Sequence, residues 1–151
     1  MRSQRVRWPA PPRGWPVLAA SAIALLLAGC GGSGAPGATG AVVRISEGDF
    51  HILANKNVVP AGRVTLRIHN FGPDEHELIV APQLPSGLPL RADGFTVSEE
   101  AIQSSEPGSI TPQQPDHTEL LNVVLKPGRY VLFCNMEGHY MAGMHRVLVV
   151  R

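Results

Sequence analysis

The chain has 151 residues, with thirteen Lys and Arg against twelve Asp and Glu and only 5% aromatic residues. That length leaves no room for two ordinary domains. The formal charge of +1 excludes the strongly basic surface of a nucleic-acid binder. Four arginines (Arg2, Arg5, Arg7 and Arg13) precede residue 17 and no acid does, so from Cys30 onward nine basic residues face twelve acidic ones, a net charge of −3.

Residues 1–29 read as a targeting segment. A basic start is followed by the apolar run Val17–Ala28, twelve residues where a bilayer span needs about 20. The run ends in Leu27-Ala28-Gly29-Cys30, which resembles the lipobox of bacterial lipoproteins and implies lipidation of Cys30. Residues 30–40 then comprise that cysteine and the linker GGSGAPGATG. Ten such residues span about 17 Å as a coil and about 35 Å stretched. The expectation is an exported domain anchored by lipid to a bacterial membrane, facing the periplasm or the exterior, with any protein partner in or on that membrane.

Residues 41–151 are rich in Val, Leu, Gly and Pro, with short apolar runs between turn signals, the pattern of an all-β sandwich. Strands are expected at 41–46, 49–54, 63–70, 77–81, 118–125, 129–134 and 146–151. In the third, Val64, Leu66 and Ile68 alternate with Thr65, Arg67 and His69, as in a half-buried strand. Lys126-Pro127-Gly128 reads as a tight turn. Residues 82–117 carry six prolines and read as a strand-free connection across an edge or end of the sandwich. Ser98-Glu-Glu-Ala-Ile102 within it is a capped start for a short helix.

The chemistry concentrates in Cys134-Asn-Met-Glu-Gly-His139-Tyr-Met-Ala-Gly-Met144, a C-x4-H-x4-M string between two strand-like runs. A thiolate, an imidazole and a thioether on one loop suit copper better than magnesium, calcium or manganese. A blue-copper centre needs a second imidazole, and His76 offers one where a Gly-Pro turn meets the next strand. His76 shares strand parity with Leu78 and Val80, which turns its ring inward. His51, His69 and His117 lack this context. His145 rivals His139 but begins the following strand, and Met136 and Met141 rival Met144 but suit packing better. With Cys30 lipidated, Cys134 is the last thiol in an oxidising compartment, where metal binding protects it.

With His76 early and Cys134, His139 and Met144 late, residues 41–151 resemble the cupredoxins, the small blue copper proteins. The ligand-loop spacing is similar to that of their rusticyanin and auracyanin groups. The resemblance implies a Greek-key sandwich holding one type 1 copper, with Met144 as weak axial ligand and the edge of His139 near the surface. It also implies a small apolar docking patch of Gly72, Pro73, Tyr140, Met141 and Gly143. Many cupredoxins follow the first histidine with Asn or Ser, which ties the ligand loops together. Glu77 stands there instead, leaving Asn70 or Asn135 as candidates for that tie.

The leading expectation is a monomeric one-electron carrier serving a redox partner on its own membrane. The alternative is an extracytoplasmic copper-handling protein (a Cu(I) chaperone, store or sensor), since Met136, Met141 and His145 add donors near the loop. An enzyme is not expected, because one domain leaves no room for further copper centres. A binuclear site would need a second cysteine where Gly138 stands.

Overall fold

The computed structural model describes residues 40–151. The expected signal segment, Cys30 and the expected linker through Thr39 lie outside the described residues, and no helix among those described is long and apolar enough to cross a membrane. Among the described residues nine strands form two packed sheets. They are β1 (Ala41–Gly48), β2 (His51–Ala54), β3 (Val58–Val59), β4 (Gly62–Asn70), β5 (His76–Pro82), β6 (Gly108–Gln113), β7 (Thr118–Leu125), β8 (Gly128–Phe133) and β9 (His145–Val150). The first sheet runs β2-β1-β4-β7 and the second β3-β9-β8-β5-β6. Sequential neighbours (β1 with β2, β5 with β6, β8 with β9) are joined in both sheets to strands distant in the chain (β1 to β4, β4 to β7, β5 to β8, β3 to β9), as a Greek-key sandwich requires.

Alternation explains the first sheet. Val43, Ile45 and Ile52 from β1 and β2, and Val64, Leu66 and Ile68 from β4, turn inward and are buried, while Arg44 and Arg67 lie outside in register with each other. In the second sheet β5 lies between β8 and the edge strand β6 and is buried on both faces, so His76, Leu78 and Val80 face the sandwich core while Ile79 and Ala81 join a second cluster. That second cluster is covered by residues of the long connection, Leu88, Val97 and Ile102.

The connection carries one element that its prolines hid. Strand β6 pairs antiparallel with β5 at the sheet edge, Leu78 opposite Ile110 and His76 opposite Gln113. Pro112 is tolerated there because an edge strand leaves one side of its ladder unpaired. Helix α1 (Glu99–Ile102) forms after Ser98 as expected, although the Ser98 side chain makes no capping bond. The two-residue β3 is also additional, too short for any alternation to signal it.

Strand directions place the candidate site. β1 and β4 run toward one end of the sandwich, β8 ends there, and β5 and β9 begin there, so His76, Cys134 and Met144 converge on a single pole.

Candidate metal centre

The donor atoms of His76, Cys134 and His139 all lie within 4.8 Å of one another. Cys134 Sγ is 3.5 Å from His139 Nδ1, and the two imidazole rings are 5.2 Å apart between centroids. Met144 is fully buried in the same core cluster as Cys134. Its backbone binds both neighbours: the Cys134 N–H donates to the Met144 carbonyl (3.1 Å), and the Met144 N–H donates to the His139 carbonyl (3.0 Å). The loop between them closes through the His139 N–H to Met136 and the Ala142 N–H to Gly138, each 2.9 Å. Gly138 sits at φ +80°, where a side chain would be strained.

His76 is prepared for a metal. Its Nε2–H donates to Asp49 Oδ1 at 3.0 Å, which fixes the tautomer. Its Nδ1 is then left buried with no hydrogen-bond partner. Burial, and then the neighbouring His139, hold the ring below the usual imidazole range despite the opposing charge of Asp49, so it stays neutral and free to coordinate. Gly72 makes this approach possible, because a Cβ there would stand 2.9 Å from both Asp49 Oδ1 and His76 Nε2.

Around Cys134, burial pushes the thiol up to about 11, while the backbone N–H groups of Glu77 and Met136 favour the thiolate. A proton therefore stays on the sulfur until a cation replaces it. The tie expected of a short polar residue after the first histidine is made by Glu77 itself. Burial raises its carboxyl to about 7, and the Asn135 N–H donates to it. Asn135 also reaches sideways: its Oδ1 accepts from the Val97 N–H at 2.6 Å, and its Nδ2 donates to Glu99 at 2.7 Å. Asn70 fastens the other ligand loop, donating to the carbonyls of Asp74 (2.8 Å) and Gln113 (3.0 Å) and accepting from the Gly72 N–H.

The rival residues fall elsewhere. His145 is exposed with its ring 5.1 Å from Tyr140, Met141 is 54% exposed, and Met136 packs on the rim of the core. The expected docking patch is revised. Gly72 is buried and Tyr140 turns away to pack on Phe133, leaving Pro73, Met141 and Gly143 at the surface. Phe50, which the sequence reading missed, joins them, its half-exposed ring edge-on to His139 at 5.1 Å. Phe71, also half exposed, packs on His51 beside it. An exposed aromatic in a two-residue turn was the only available signal for Phe50.

Two imidazoles, a buried thiol and a thioether are a soft-to-borderline set that fits copper and serves hard cations poorly. Comparisons with known proteins agree on the fold. No protein-family model and no curated protein sequence matches the chain. Solved structures do match. Dithionite-reduced auracyanin from Roseiflexus castenholzii aligns with a TM-score of 0.56 at 20% identity, over 74% of this chain and 99% of that one. Auracyanin A, a "blue" copper protein from Chloroflexus aurantiacus, aligns at 0.51 and 22% identity, over 73% and 99%. Rusticyanin from Thiobacillus ferrooxidans gives 0.56 at 14% identity, over 75% and 79%. The chain therefore has the cupredoxin fold, and its own four donors fit a single type 1 copper ion.

Proposed function

We propose that this protein is a one-electron carrier, tethered by lipid at Cys30 to the outer side of a bacterial membrane and exchanging electrons with a protein partner on that membrane. The observation that carries the reading is the preorganised donor set: His76 Nδ1, at the start of β5, stands buried and unpartnered beside Cys134 and His139 of the hydrogen-bonded β8–β9 loop. When bound, copper supplies the reversible Cu(II)/Cu(I) couple. The chain supplies the rest. Asp49, Asn70 and Glu77 hold the ligand loops, and burial excludes water from Cys134 and Met144. Fixed ligands limit the rearrangement that accompanies each change of charge. His139 is the one imidazole of the pair that is partly exposed, and Phe50 and Met141 surround it with apolar surface suited to brief contact.

Copper handling receives less support, because Met141 is exposed and His145 packs on Tyr140, so neither joins a second preformed donor group.

The first test is a Cu(II) titration followed by visible absorption, beside Cys134→Ala. An intense thiolate-to-copper band, bleached by reductant and absent from the variant, is the expected result. A colourless protein that binds Cu(I) tightly would overturn the electron-carrier reading. The tether is tested separately, by whether Cys30→Ala moves the protein from the membrane fraction to the soluble one.

A further inference from the structure

The charges of the described domain are sorted by face. From residue 40 on, acids outnumber bases, yet the outer face of the four-stranded sheet carries Arg44, Arg63 and Arg67 and no carboxylate among its outward strand positions. Register sets them in a grid with aliphatic residues. Arg67 lies between Arg44 and Leu120, Thr65 between Val42 and Asn122, and Arg63 opposite Val124. Val42, Leu120 and Val124 are exposed, Val124 by 72%. Lys126 extends the positive surface in the turn after β7. Among the described residues none of these four cations makes an ion pair; the ion pairs are His69–Asp116, His76–Asp49 and Arg91–Glu100. Of the twelve carboxylates, Asp49, Asp74, Glu75, Glu77 and Glu137 adjoin the ligand segments of the metal pole, and Asp116 borders the arginine face only at its His69 end.

We infer that this face is a docking surface for an anionic phospholipid bilayer. A flat sheet of arginines interleaved with aliphatic side chains offers guanidinium groups to lipid phosphates and lets the arginine stems and aliphatics rest among the headgroups. A second copy of the chain does not fit, since a two-fold pairing of this face sets arginine rows against arginine rows. The covalent path favours the membrane over an acidic protein. The chain enters the sheet at Gly40–Ala41, on the edge of this face, with Gly40 so close to Arg63 that a Cβ would stand 2.7 Å from the Arg63 carbonyl oxygen. The glycine-rich residues 31–39 precede that entry point in the chain. With the face on the bilayer the strands lie along the membrane and the metal pole looks sideways, toward partners embedded beside it. The surface acts independently of copper and of lipidation.

The test uses the chain from residue 30 onward with Cys30→Ala, so that no lipid is attached. It is sedimented with phosphatidylcholine vesicles and with vesicles containing about a third phosphatidylglycerol. Binding to the anionic vesicles alone, falling as salt rises, is expected. Each arginine near such a surface contributes about fivefold, so Arg44→Gln with Arg67→Gln weakens binding by about 30-fold. Arg91→Gln with Arg129→Gln, an equal loss of charge on other surfaces, leaves it within about twofold. Equal binding to both vesicle types, no binding, or equal losses for the two charge pairs would overturn the proposal. The salt series on the parent protein decides the case if a variant fails to fold, since salt-independent binding also overturns it. Because Cys30 is absent throughout, failure here leaves the tether untouched, and failure of the tether leaves this result standing.

Discussion

Asp49 and His76, 27 residues apart in the chain, meet through a 3.0 Å hydrogen bond from the imidazole Nε2–H to the carboxylate. The parallel pairing of β1 with β4 makes the meeting possible, because both strands deliver their following loops to the same end. A carboxylate at this position makes the ring a stronger donor through Nδ1 and stabilises the more highly charged metal state. Asp49→Asn is expected to raise the reduction potential and to weaken Cu(II) binding by about 10- to 100-fold. Protein-film voltammetry reads the first and chelator competition the second. An unchanged potential would remove Asp49 from any role beyond packing.

Gly72 separates geometry from stability. Alanine there must push on Asp49 Oδ1 and His76 Nε2, both 2.9 Å from its Cβ, and so disrupts the bond that orients the ligand. Gly138→Ala meets no atom within 4 Å but occupies φ +80°, and costs about 1 kcal/mol of stability through strain alone. The expected pattern is lost copper affinity for the first variant, and a lowered midpoint of unfolding with copper affinity retained for the second. Parallel copper competition and denaturant unfolding compare them.

Met144→Leu conserves volume in a fully buried position and should cost less than about 1.5 kcal/mol of stability. Removing the thioether withdraws an axial donor from Cu(II), so the potential is expected to rise while the thiolate-to-copper absorption survives. Loss of the absorption would mean that Met144 anchors the centre rather than tunes it.

Metal-free stability should depend on pH through two acids, the buried Glu47 and the partly buried Glu77. Glu47 is fully buried with neither carboxylate oxygen hydrogen-bonded, and desolvation, then the charge of Glu77, raises it from 4.5 to about 8. Glu77 is raised to about 7. Both folded values exceed the unfolded ones, so the folded state holds protons that the unfolded state releases. The stability these two acids contribute is fully present below about pH 4.5 and is lost as pH rises through 7 to 8. Glu47 alone accounts for at most about 5 kcal/mol across that window. Denaturant unfolding at pH 5 and pH 8.5 measures the slope, which Glu47→Gln should flatten. A stability that rises over this range would contradict the assignment.

Proximity along the chain separates what was legible from what was not. Cys134, His139 and Met144 fall within eleven residues on one loop, so their spacing alone expressed the donor set, and strand parity turned His76 toward them. The strands of the first sheet were legible because each has one buried and one exposed side. Strand β6 was not, since its prolines and its edge position suppress the usual pattern. The residues that prepare the site (Asp49, the buried Glu47 and the rim residue Phe50) sit more than 80 positions before Cys134. The arginine face likewise combines residues from three strands. Sequence determined which atoms are available to bind copper, because a ligand loop is a local object. Only the tertiary structure decided what surrounds those atoms, because strand pairing, not spacing, sets which distant charges and rings share a pole.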